Sequence, residues 1–114
     1  MVAMLQNVTV EEVRHELGVS RERMARVFDV SAKTIDRWEK RTSHLTDVAS
    51  AQTLQELHQL IELGQLVYGD EGFRQFLALS MPVFDGRSPM QMIERGDRDQ
   101  VLGVIAQDYE GLGA

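Results

Sequence analysis

The sequence has no cysteine, only two prolines and one tryptophan, and aromatic residues make up just 6% of its 114 positions. Without cysteine, a disulfide framework, a thiolate zinc site and a cysteine nucleophile are all excluded. The three histidines, His15, His44 and His58, are far apart, so no metal-ligand spacing exists and neither a metal nor a cofactor is expected. Each histidine reads as a helix-surface or satisfied, partly buried residue. No Ser/His/Asp arrangement or glycine-rich phosphate loop can be located. Gly69-Asp70-Glu71-Gly72 has the glycines but lacks the preceding strand that such a loop requires. The expectation is a protein that is not an enzyme. No apolar run approaches the roughly 20 residues that span a bilayer. Met1 to Leu5 is too short, and lacks the basic flank, for a secretory signal, which makes a cytoplasmic location the expectation.

What is present is a chain with 43% hydrophobic residues and a net charge of -6, long enough for one or two small units around a modest core. The charge is unevenly spread. Residues 1–50 carry eight basic and eight acidic side chains, whereas residues 51–114 carry four basic and ten acidic. Within the first half, Ser20 to Arg41 holds seven basic groups against four acidic ones. One half can approach a polyanion that the other would repel. Two solvated helical faces of different charge would give the same arithmetic.

Helix-start signals punctuate the chain. Thr9 and Glu12 have capping-box spacing and Gly18 is a stop, giving a helix from Val10 to Leu17. Ser20 caps a second helix, Arg21 to Phe28, and Ser31 a third, Ala32 to Arg41. Thr46 or Asp47 opens a long helical pattern to about Val67, with Gly64 tolerated inside it or marking a break. Gly69 and Asp70 interrupt, and a helix bearing Phe73, Phe76 and Leu77 follows. Pro82, Asp85 and Gly86 mark a turn, Ser88-Pro89 starts a short helix to about Arg95, and Asp97 caps a last one with Val101, Leu102, Ile105 and Tyr109. Gly111 and Gly113 predict a loose tail from Glu110 onward. No segment alternates as a strand, so the fold should be all-α.

The second and third helices, joined around Asp29 and Val30, form a helix-turn-helix pattern. Ala25 is small where the helices meet, Val27, Val30 and Ile35 are apolar where the pair packs, and Asp29 suits a left-handed turn position. Trp38 reads as a packing residue covering the first helix. Ser31, Lys33, Thr34, Arg37 and Lys40 fall at the start and outer face of the third helix, the part that enters the major groove in such motifs. Asp36 and Glu39 would oppose phosphates if they pointed outward. A helical hairpin that never meets nucleic acid packs in the same way. Ser20 to Glu39 resembles the Xre-type helix-turn-helix, carried by Ala25, Val30, Ser31, Thr34, Ile35, Arg37, Trp38 and Glu39, with Asp29 replacing the usual turn glycine.

Phe84-Asp85-Gly86-Arg87-Ser88-Pro89-Met90, then Met92-Ile93, Gly96, Val101-Leu102 and Tyr109-Glu110-Gly111, resembles the C-terminal domain of the MbcA/ParS/Xre antitoxin family, which is coupled to RES-domain toxins. Together the two resemblances span roughly Arg14 to Ala114, in the order that family shows. They imply an N-terminal Xre-like helix-turn-helix unit (1–45), a long central linking and dimerisation helix (46–69) and a small helical toxin-binding domain (70–114). They further imply an antitoxin that neutralises a cognate RES toxin by covering its NAD-consuming active site and also binds its own promoter as autorepressor. DNA contacts would fall to Ser31, Lys33, Thr34, Arg37 and Lys40, and toxin contacts to Arg87, Ser88, Asp108, Tyr109, Glu110, Gly111 and Leu112. The carboxylates of Asp108, Glu110 and Ala114 are suited to the anion donors of a dinucleotide cleft. Leu54, Leu57, Leu60, Ile61, Leu63, Leu66 and Val67 spread around more than one stripe of the central helix, which favours a homodimer over a fully enclosed helix. The alternative is a free-standing helix-turn-helix repressor whose C-terminal half serves dimerisation.

Overall fold

Short polar side chains at helix starts and left-handed residues at helix ends partition the chain much as their spacing predicts. The computed structural model describes residues 8–41, 45 and 47–112, and among these every regular element is helical. The elements are α1 (Val10–Leu17), α2 (Arg21–Phe28), α3 (Ala32–Arg41), the long central α4 (Val48–Ala78), a 3-10 turn (Pro82–Phe84), α5 (Pro89–Glu94) and α6 (Arg98–Leu112). Two compact units divide the chain, Met1–Gln59 and Leu60–Ala114, with the division inside α4. His44, Thr46, Gly113 and Ala114 lie outside the described residues, and with them the proposed Thr46 cap and terminal carboxylate.

In the first unit, the Thr9 hydroxyl accepts the Glu12 N–H at 3.1 Å and the Ser20 hydroxyl accepts that of Arg23 at 3.2 Å. Each satisfies an amide that the first helical turn leaves unpaired. α2 ends in a Schellman arrangement. Asp29 adopts the left-handed conformation (φ 56°, ψ 48°), its N–H donates to the Arg26 carbonyl, and the Val30 N–H donates to that of Ala25 at 3.0 Å. That geometry reverses the chain in three residues, so α2 packs on α3, and α1 packs on α3 as well. The core between them is Val10, Val13, Leu17, Met24, Ala25, Val27, Phe28 and Ile35, all buried. The Trp38 ring meets Phe28 of α2 edge-on, with centroids 5.6 Å apart. Asp47 opens α4, its carboxylate accepting from both the backbone N–H and the hydroxyl of Ser50.

The second unit depends on close backbone approach. Gly64 sits inside α4, and a Cβ built there would lie 2.4 Å from Cδ1 and Cε1 of Phe73, so only glycine lets the fully buried Phe73 ring lie against that turn. Five residues on, Gly69 interrupts the helix with φ 77° and ψ 169°, a region essentially closed to side chains. The chain after it brings Phe73, Phe76 and Leu77 into the core. Beyond Ala78, the turn is pinned by Met81 N–H to the Arg87 carbonyl, Gly86 N–H to that of Met81, the Ser80 hydroxyl to that of Gly86, and the buried Phe84. Ser88 and Gln91 form a full capping box at α5, and α5 packs on α6 through the buried set Met90, Met92, Ile93, Val101 and Ile105.

One expectation is corrected. The chain does not leave the helix at Glu110: α6 continues through Glu110 and Gly111 to Leu112.

Two glycines in this unit should respond in opposite senses. Gly64→Ala forces a methyl into the Phe73 ring and should lower stability by about 1–3 kcal/mol. Gly103→Ala, in open helical space, should raise it by up to about 1 kcal/mol. Urea unfolding followed by circular dichroism distinguishes the two.

Candidate nucleic-acid and partner interfaces

Ile35 and Glu39 are one turn apart on α3, so a helix that buries the first buries the second. Their residues are 0% and 8% exposed. A carboxylate in that position is costly unless it is paired. Arg14 of α1 donates from Nε to Oε2 at 2.6 Å and from Nη2 to Oε1 at 3.2 Å, a bidentate pair. Arg21 of α2 donates from Nε to Oε1 at 2.9 Å, and Arg14 Nη1 also donates to the Val19 carbonyl at 3.2 Å. Burial pushes the Glu39 pKa up, but the hydrogen bonds and charges of Arg14 and Arg21 together outweigh it and hold the group below the usual carboxylate range. One side chain thereby joins α1, α2 and α3.

The opposite face of α3 carries the groove-reading candidates. Lys33, Arg37 and Lys40, spaced four and three apart, are exposed and form one basic stripe. Ser31 and Thr34 are engaged at the helix start, where the Ser31 hydroxyl accepts the Thr34 N–H at 3.1 Å and lies 3.0 Å from the Thr34 hydroxyl. Of the two acids in question, Glu39 points inward. Asp36 is half-buried, with its carboxylate 3.1 Å from Lys40 Nζ and 3.9 Å from Arg21 Nε, which neutralises part of the charge that phosphates would meet.

The partner candidates lie on two elements of the second unit. Arg87 is exposed on the turn before α5, and Ser88 is that helix's half-buried cap. Asp108, Tyr109, Glu110, Gly111 and Leu112 are all exposed on the last turns of α6, where Tyr109 (48% exposed) and Leu112 (69%) present apolar surface. Asp108 is engaged within the unit, accepting a hydrogen bond from the Tyr68 hydroxyl. Burial, the hydrogen bond to Asp108 and that group's negative charge all raise the Tyr68 pKa, so the phenol stays a donor.

The structure adds Arg14, Arg21, Glu39 and Tyr68 to the residues that shape these surfaces. Glu39 was legible in principle, as an acid one turn from Ile35 within a basic segment. Tyr68 and Asp108, 40 positions apart, leave no local signal. Among the described residues no group of His, Asp and Glu is arranged to hold a metal, and no helix is long and apolar enough to cross a membrane.

These features define a small all-helical protein of two units. The sequence matches no family model and no curated protein. In fold, the chain is similar to a chain in the crystal structure of the M. tuberculosis MbcT-MbcA toxin-antitoxin complex, with a TM-score of 0.68 and 21% sequence identity, covering 92% of this chain and 94% of that one.

The Glu39 clamp makes stability depend on pH in a definite sense. Because folding lowers the Glu39 pKa, its contribution is fully present above the unfolded value of about 4.3 and is lost as pH falls through the folded value. Glu39→Gln should cost about 3 kcal/mol at neutral pH, the low end for a broken buried pair because Arg21 is half in solvent. It should also flatten the acid limb of a stability-against-pH curve.

Proposed function

We propose that this chain is an antitoxin that neutralises a cognate RES-domain toxin by covering the toxin's NAD-consuming active site, and that its N-terminal unit binds the promoter of its own operon. The observation that carries this reading is the fold likeness to a chain of a toxin-antitoxin complex along 92% of the protein. The resemblance of Phe84 to Gly111 to the antitoxin C-terminal domain supports the RES assignment. Toxin contact then falls to Arg87, Ser88, Asp108, Tyr109, Glu110, Gly111 and Leu112, among which Tyr109 and Leu112 offer exposed apolar side chains of the kind that anchor interfaces. Catalysis belongs to the partner, and this chain needs neither cofactor nor metal. The protein acts in the cytoplasm, as a homodimer within the larger complex, with Leu66, 67% exposed on α4, available to a second copy.

A second reading draws on the exposed stripe of Lys33, Arg37 and Lys40: a free-standing repressor with a dimerising C-terminal half. The two separate cleanly. Recovered by an N-terminal tag from its native host at moderate salt, an antitoxin brings a stoichiometric protein whose NAD consumption appears only when this chain is stripped away. A repressor comes alone with promoter DNA. For direct readout, Lys33→Ala or Arg37→Ala should weaken promoter binding by about 1–3 kcal/mol. Affinity that ignores both substitutions, or is insensitive to salt, overturns the DNA role.

A further inference from the structure

The last turns of α6 have little of their own to hold them helical. Ile105 is the final buried residue, and Gln107 to Leu112 are all exposed. Gly111 is a poor helix former. Asp108 and Glu110 put two carboxylates at the negative end of the helix dipole, and the last turn has no basic residue to offset them. Such an end frays in isolation. It is nevertheless helical to Leu112.

A contact that ties it to the rest of the unit is the hydrogen bond from the Tyr68 hydroxyl to Asp108 Oδ2. Tyr68 is itself well anchored. Its half-buried ring stacks on Phe76 with centroids 4.7 Å apart and planes at 26°, and Phe76 stacks on Phe73, whose buried ring lies against Gly64. The donor therefore sits on the rigid part of the unit, and the acceptor on the part that would otherwise unwind. Tyr109 and Leu112 follow that point, three residues apart on one side of the helix.

We infer that Tyr68 is a positioning residue for toxin binding: through Asp108 it keeps the end of α6 helical, so that Tyr109 and Leu112 meet the toxin as a preformed apolar pair. This rests on the antitoxin reading, with the toxin as the partner served. A preformed pair spares the complex the ordering cost that a frayed segment would incur on binding. It also means that one Asp108 oxygen is committed inside the protein rather than to a cation of the partner.

Tyr68→Phe tests this in the full chain, since it removes one oxygen and keeps the ring stack. Two readouts are needed: amide hydrogen exchange at residues 109–112 in the free protein, and inhibition of the co-purified toxin's NAD consumption. The expected result is faster exchange confined to those residues and inhibition weakened about tenfold. In an Asp108→Ala background the same substitution should add little, because the two changes remove one interaction. Inhibition by Tyr68→Phe equal to that by wild type overturns the role of Tyr68 alone. So does weaker inhibition with unchanged exchange, which would make the hydroxyl a direct contact. A wild-type chain that leaves NAD consumption untouched overturns the antitoxin reading itself, and this inference with it.

Discussion

Burying the Glu39 carboxylate obliges three helices to converge on it, and most of the first unit's geometry follows. α1 must bring Arg14 to one oxygen edge, and α2 must bring Arg21 to Oε1. Once Glu39 and Ile35 face inward, a rotation of about 100° per residue leaves Lys33, Arg37 and Lys40 on the outside. Ion pairs of this kind are weak contributors to net stability but strongly orient what they join. The clamp and the fully buried Ile35 hold the same face of α3 inward, and so fix which side chains a polyanion would meet.

The second unit reaches definition by a different route. A missing side chain at Gly64 lets an aromatic ring sit against helix backbone, and the ring seats a short aromatic series ending in Tyr68. The turn that follows is held by interlocking backbone hydrogen bonds rather than by charge. Its left-handed position at Asp85, like Asp29 in the first unit, is filled by aspartate, whose short polar side chain tolerates a conformation that branched residues resist.

Helix limits in both units were legible because caps, left-handed stops and periodicity are local. Ser20, Asp29, Ser31, Asp47 and Ser88 each act within four residues of their partners, and Gly69 acts through its own backbone angles. What the sequence concealed is long-range. Nothing local says that Glu39 finds Arg14 and Arg21, that Gly64 admits Phe73, or that Trp38 meets Phe28 edge-on. The end of α6 departs from its local signals for the same reason. Gly111 and two carboxylates argue against a helix locally, and the interaction that offsets them comes from Tyr68, far back in the chain. The outer face of α3 was nonetheless identifiable, since it follows from spacing once the helix is in place, whereas the residues at the end of α6 came from the family resemblance.

The placement of the aromatic residues gives the molecule a built-in optical division. Its only tryptophan, Trp38, is packed against Phe28 in the first unit, while both tyrosines, Tyr68 and Tyr109, belong to the second. Indole emission therefore reports on the first unit alone, and the two phenols belong wholly to the second. A single unlabelled sample can thus reveal whether the two ends melt together or separately.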